Sequence, residues 1–217
     1  MGTGMSKIIS GVYIGNIKDS KDIKTLTENQ ISHILAVHDN AKELIEDKIY
    51  LCIIVSDSPQ QSLIPHFEES IDFIHKARNE NGRVLIHCLA GISRSVTFTA
   101  AYIMTVTNFG WRESLNAIRG GRQCANPNFG FQRQLQEYEQ TGLAEARLKL
   151  KEKYPNHDYE KDEQECQQLL KAYHHYLFHG DQCDGKNCSD HDFMVPQKNT
   201  ISKNESDSVE SDSTDIQ

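Results

Sequence analysis

Three short apolar runs, each stopped by polar residues, frame this chain. ISHILAV (31–37) stops at HDN, YLCIIV (50–55) stops at SDSP, and RVLIH (83–87) stops at a cysteine. Runs of this length rich in β-branched side chains read as strands buried on both faces, as in a parallel sheet. Two shorter strands, KII and VYI, fit within 7–14, broken at Ser10 and Gly11. Between the runs the period changes. Ile64, Phe67, Ile71 and Ile74 are spaced 3, 4 and 3, one face of a helix entered near Pro65 and ended by Asn81-Gly82. Residues 19–29 have polar helical character, and about 93–107 predicts a helix ended by Phe109-Gly110. Trp111, Leu115 and Ile118 open another helical face; Phe131, Leu135 and Tyr138 open one more after NPNFG. Alternating strands and helices predict an α/β fold, a single central, mostly parallel sheet of about five strands flanked by helices.

The pattern thins towards the C-terminus. Residues 1–150 read as one domain, 151–180 as one extra helix over about 160–178, and 181–217 as an acidic, serine-rich tail whose composition predicts disorder. The net charge of −8 comes from the last third. Residues 1–150 carry 16 basic and 16 acidic side chains, while 151–217 carry 7 and 15. A neutral body with an acidic tail does not predict nucleic-acid binding. Six dispersed cysteines predict free thiols in a reducing compartment. No apolar run approaches the roughly 18–20 residues that span a bilayer, and no secretory signal is expected.

The candidate chemistry lies in VLIHCLAGISRS (84–95). Cys88 follows a buried strand, and a helix begins a few residues later. Ligands of open α/β sheets bind there. The turning backbone and the helix start together offer free N–H groups and partial positive charge, an anion cradle. A free thiol titrates near pH 8.5, but positive surroundings bring cysteine to about 3.5–7.5. Arg94 adds a full charge and a planar fork for two phosphate oxygens. Gly91 permits a tight turn with backbone close to the ligand. Leu89, Ala90, Ile92 and Ser93 complete the loop, and Ser95 is placed to hydrogen-bond the sulfur and help it leave. His87 is expected to orient the loop. A His87–Cys88 catalytic pair is awkward, because successive strand residues point to opposite faces.

HCLAGISRS resembles the H-C-x-x-G-x-x-R-[ST] signature of cysteine-dependent protein phosphatases. GVYIGN, GWRESLNAIR and NPNFGFQRQL resemble their dual-specificity branch, so the likeness covers about 5–140. It looks closest to the small, atypical, myristoylated, Jnk-stimulatory type. The resemblance implies the tyrosine/dual-specificity phosphatase fold and a phosphocysteine intermediate hydrolysed by water, with no metal or cofactor. It also implies a pocket shallow enough for phosphoserine and phosphothreonine as well as phosphotyrosine. Substrates would be phosphorylated proteins, MAP-kinase pathway components among them.

Expulsion of an alkoxide or phenoxide needs a proton donor. Asp57, in SDSP after a buried strand, is the expected acid, and the resemblance favours it as well. Asp39 is assigned to turn chemistry. MGTGMS fits the acceptor pattern for myristate on Gly2. One such chain binds membranes with K of about 10⁴ M⁻¹, so a cytoplasmic protein with a reversible membrane fraction is expected. Arg119 and Arg122 are read as contacts for acidic substrate rather than core residues, with ordinary surface charge as the alternative for either. Cys124 could reach Cys88 under oxidation, although an idle thiol is the plainer reading. Cys183 and Cys188, near His179 and His191, have a non-standard zinc spacing and are not read as a metal site. Two rivals stay open: a catalytically weak phosphoprotein-binding module, and a phosphoinositide or RNA 5′-phosphatase. A loop interior without lysine disfavours the highly anionic substrates of the latter.

Overall fold

The computed structural model describes residues 4–180. Five strands form one sheet in the order β1-β2-β5-β3-β4. They are β1 (Ser6–Ile9), β2 (Val12–Gly15), β3 (His33–Val37), β4 (Ile49–Ile53) and β5 (Val84–His87). β1 and β2 form an antiparallel hairpin whose turn uses Gly11 at φ +81°. Every other pairing is parallel. Val12, Val84 and His33 lie in register, so β2, β5 and β3 end together near Gly15, His87 and Ala36. This makes one shared carboxyl edge. β1 runs the other way, with Ser6 opposite Ile14, so the chain also enters at that edge.

The helices are α1 (Ile23–Glu28), α2 (Phe67–Asn79), α3 (Arg94–Val106), α4 (Trp111–Gly121), α5 (Phe129–Thr141), α6 (Leu143–Lys153) and α7 (Tyr159–His179). The polar stretch after residue 19 is a 3₁₀ turn, then α1, started by Asp22, whose carboxylate accepts the Thr25 N–H at 3.2 Å. Every residue of α3 is buried, and its Thr97, Thr99 and Thr105 hydroxyls donate to the carbonyls four residues earlier. Phe98 and Tyr102 of α3 join Phe67, Ile71 and Ile74 of α2 in the main core. A smaller core of Tyr13, Leu26, Ile31, Ile34 and Leu85 fills the opposite face of the sheet.

The boundary expected at 150 falls inside α6, and α7 is part of the same body. The Arg78 guanidinium of α2 donates to both Asp162 oxygens, at 2.6 and 2.8 Å, to the Tyr102 hydroxyl at 2.7 Å and to the Ser10 carbonyl at 2.8 Å. Asp162 is 1% exposed, and His157 Nε2 lies 2.8 Å from it. Burial, the largest influence, pushes its carboxyl up, but Arg78 and His157 outweigh it and the net direction is down. Glu165 accepts from the Ser10 N–H and hydroxyl. α7 also presses its backbone against α4: a Cβ on Gly120 would stand 2.0 Å from the Leu169 carbonyl oxygen. Gly120→Ala must therefore separate the two helices. It is expected to cost at least the ~1–3 kcal/mol of core overpacking, read as a lower midpoint in thermal or urea denaturation.

Candidate active site

Residues 88–93 form the loop between β5 and α3, at the carboxyl edge of the sheet. Cys88 is 1% exposed. Its Sγ accepts the Gly91 N–H at 3.2 Å and lies 3.4 Å from Ser95 Oγ. Burial is the largest single influence on this thiol and pushes it up. The Ser95 hydroxyl and the amides of Ser95, Gly91 and Ile92 together outweigh burial, so the thiol is held below its ordinary range. The buried sulfur thus sits in a ring of donors that favours its anion.

Gly91 has φ +69°, and a Cβ on it would stand 2.6 Å from both the Gly15 carbonyl oxygen and Arg122 Nη2. Only glycine fits this turn. Ile92 is half-buried, Ser93 is buried, and Leu89 lies at the rim, half exposed beside the half-buried Ala90. His87 is buried, with Nδ1 3.4 Å from the Cys88 carbonyl oxygen and its ring centroid 5.5 Å from that of His38. Burial, helped by His38 and Lys21, pushes it down to about 4. A neutral imidazole at pH 7 supplies no cation to activate the thiol.

Arg94 is 3% exposed. Its Nη1 donates to Asp39 Oδ2 at 2.7 Å and to the Val55 carbonyl at 2.9 Å. Its Nε is 3.6 Å from Asp57 Oδ2 and, though buried, has no hydrogen-bond acceptor. A buried donor without an acceptor marks a place for a ligand oxygen. Asp39 therefore does more than make a turn, the role assigned to it from sequence. It lies at the end of β3, next to β5 in the sheet, and anchors the arginine. The Arg94 hydrogen bond holds its carboxyl below the usual range.

Asp57 lies across the mouth. Its Oδ1 accepts from Ser93 Oγ at 2.8 Å and from Asn128 Nδ2 at 2.9 Å, which leaves Oδ2 towards Arg94. Asn128 also donates its own N–H to Ser93 Oγ at 3.3 Å, and its Oδ1 caps α5 through the Phe131 N–H at 3.0 Å. The acid loop is clamped to α5 by Gln134, which accepts the Leu63 N–H at 2.6 Å and donates to the Gln61 carbonyl at 2.8 Å. Asn128 and Gln134 were missed as functional residues. NPNFG is read from sequence as a helix start and as part of the family resemblance, and nothing local ties it to Asp57.

Arg122 corrects a second expectation. Read as a contact for acidic substrate, it is instead 4% exposed and braces the loop from behind. Nε donates to the Gly91 carbonyl at 2.7 Å, and Nη1 donates to the Gly4 carbonyl at 2.9 Å and to Ser6 Oγ at 3.1 Å. The carbonyl of the buried Gly91 needs a donor there. Arg119 likewise serves its own neighbourhood, donating to the Ala125 carbonyl at 3.1 Å and to Asn116 Oδ1 at 2.9 Å. Cys124 and Cys88 are both free thiols. Gly2, Cys183, Cys188 and His191 lie outside the described residues.

This loop and its partners meet a sequence-level finding. A family model, the catalytic domain of dual specificity phosphatases, matches residues 12–141. The chain belongs to the dual-specificity phosphatase family. Human dual specificity protein phosphatase 22 is 52% identical over 172 residues, covering 79% of this chain and 93% of the relative. Mouse dual specificity protein phosphatase 15 is 44% identical over 170 residues, covering 78% and 72%. The crystal structure of DUSP15 superposes with a TM-score of 0.67 at 45% identity, covering 70% of this chain and 97% of that one. This dual-specificity phosphatase accordingly acts as a protein phosphatase on phosphorylated protein substrates, and the binding-module, phosphoinositide and RNA readings are not favoured.

Proposed function

We propose that Cys88 is the nucleophile, Asp57 the general acid and base, and Arg94 the phosphoryl clamp of this phosphatase. The thiolate attacks phosphorus, the S–P bond forms, and the P–O bond to the side chain breaks. Asp57, protonated on Oδ2, gives that proton to the departing oxygen. Its carboxylate then takes a proton from water as the water attacks phosphorus. The S–P bond breaks, Ser95 donates a hydrogen bond to the leaving sulfur, and inorganic phosphate departs. The amides of Gly91 and Ile92 and the Arg94 fork stabilise the equatorial oxygens throughout. Leu89, Ala90 and Ser93 shape the same loop, and His87 fixes its base.

The observation that carries this reading is that one loop holds the donor-ringed Cys88 sulfur and Arg94, whose Nε–H has no hydrogen-bond acceptor and faces Asp57 Oδ2 at 3.6 Å. A loop interior that presents no lysine suits a phosphorylated side chain carrying less charge than a phosphoinositide or an RNA end; MAP-kinase pathway components among the substrates are our reading of the family resemblance. A cytoplasmic enzyme with a reversible membrane fraction is our reading of the myristoylation pattern at Gly2.

A leaving-group series tests the acid. Asp57→Ala should slow hydrolysis of alkyl or weakly acidic phenyl phosphates by about 10²–10⁴-fold, yet barely change an aryl phosphate whose phenoxide leaves unaided. Asn128→Ala removes one of the two donors on Oδ1. It should give the same pattern at about ten-fold. Equal losses across the series would move the acid elsewhere.

A further inference from the structure

Carbonyls of the phosphate loop accept from outside it. Leu89 and Ile92 take backbone donors, the Ile17 N–H at 3.3 Å and the Asn126 N–H at 2.9 Å. Gly91 takes a side chain, Arg122, whose Nε donates at 2.7 Å. The peptide joining Gly91 to Ile92 is planar and trans, so its C=O and N–H point in opposite directions. The carbonyl lies in the grip of Arg122, and the Ile92 N–H faces the Cys88 sulfur. One peptide earlier, the Gly91 N–H donates to the same sulfur at 3.2 Å. Glycine at φ +69° does little by itself to hold this conformation, because no Cβ restricts its rotation. Another group has to set the plane.

Arg122 is placed to do so. It is buried behind the loop, and its own position is fixed twice over. Nη1 donates to the Gly4 carbonyl at 2.9 Å and to Ser6 Oγ at 3.1 Å. Gly120 and Gly121, just before it at the end of α4, lie against Leu169 of α7. We infer that Arg122 is a positioning residue for the phosphatase reaction: by holding the Gly91 carbonyl it keeps the Gly91 and Ile92 amides aimed at the sulfur and at the phosphoryl oxygens. The inference rests on the reading that Cys88 attacks phosphorus. Without the guanidinium the buried carbonyl lacks its donor. The peptide then turns to find another, and the Ile92 N–H leaves the sulfur. A thiolate that loses a donor titrates at higher pH. The charges at the mouth stay as they are, Arg94 bonded to Asp39 and facing Asp57, and His87 stays neutral. A change in the thiol therefore reports the amides.

The test compares Arg122→Met and Arg122→Lys with wild type in the full chain. Arg122→Met should lower kcat for an aryl phosphate by about 10–10²-fold. Below its midpoint the thiolate fraction of Cys88 should fall about ten-fold, read as iodoacetamide alkylation that titrates at higher pH. Inorganic phosphate should protect the thiol less well. Arg122→Lys keeps the charge but puts a single ammonium in place of the fork, which cannot hold Gly91, Gly4 and Ser6 together. It should show the same losses in smaller measure. Circular dichroism and the thermal midpoint establish that each variant is folded. A folded variant that melts earlier yet keeps the wild-type titration and kcat reduces Arg122 to a structural brace and overturns the inference. If Arg122→Met does not fold, Arg122→Lys decides alone. Alkylation reads the thiol itself, whereas Cys88→Ser reads whether turnover needs it, so this inference and the nucleophile reading fail separately.

Discussion

Cys88→Ser is expected to lower turnover of an aryl phosphate by on the order of 10⁴-fold or more while phosphate-site binding stays measurable. The reason lies in the ring of donors around the sulfur. Gly91, Ile92 and Ser95 present amides, and Ser95 its hydroxyl, to an atom buried at the base of the loop. For a thiol this arrangement outweighs burial and favours the anion. A serine hydroxyl starts so much higher that the same donors leave it protonated. The donors themselves survive the change, so vanadate or a phosphopeptide should still bind, by calorimetry or by trapping. Loss of binding together with turnover would show that the loop had collapsed.

Arg94→Lys is expected to cost about 10³-fold in kcat/KM, close to an alanine change despite the retained charge. The guanidinium does two jobs with separate atoms. Nη1 is committed to Asp39 and to the Val55 carbonyl, and Nε remains for a phosphoryl oxygen. An ammonium is one point on a flexible stem. It can serve the Asp39 side or the ligand side, and the buried Val55 carbonyl loses its donor either way. The loss should fall on kcat as well as KM, and inorganic phosphate should inhibit the variant more weakly. A variant with near-normal kcat would mean that the fork is not used in the transition state.

Much of this could be read before the fold was seen. Cys88, Gly91 and Arg94 sit within seven residues where a strand, a loop and a helix follow one another, and the elements announce themselves by local pattern: β5 by its apolar run, α3 by a helical stretch ended at Phe109-Gly110. Asp57 followed from a second strand end. What escaped depends on sheet order. β3 neighbours β5 although nearly fifty residues separate them, and that adjacency alone sets Asp39 against Arg94. Asn128 reaches Asp57 from the start of α5, and Arg122 reaches Gly91 from behind. Both are polar residues at helix ends, where caps and surface charge look the same in sequence. α7 was recognised as a helix but not as part of the body, because its strongest anchors, Asp162 and Glu165, are charged and carry no hydrophobic signature.

The donor ring around Cys88 is tested most directly by the pH dependence of its alkylation, with Cys88→Ser as the blank for the other thiols. The rate of iodoacetamide modification should rise along a titration below the ordinary cysteine value near 8.5, and inorganic phosphate or vanadate should protect the thiol. A thiol that stays protonated to pH 8 or beyond, and that reacts equally fast with and without the anion, would contradict the account.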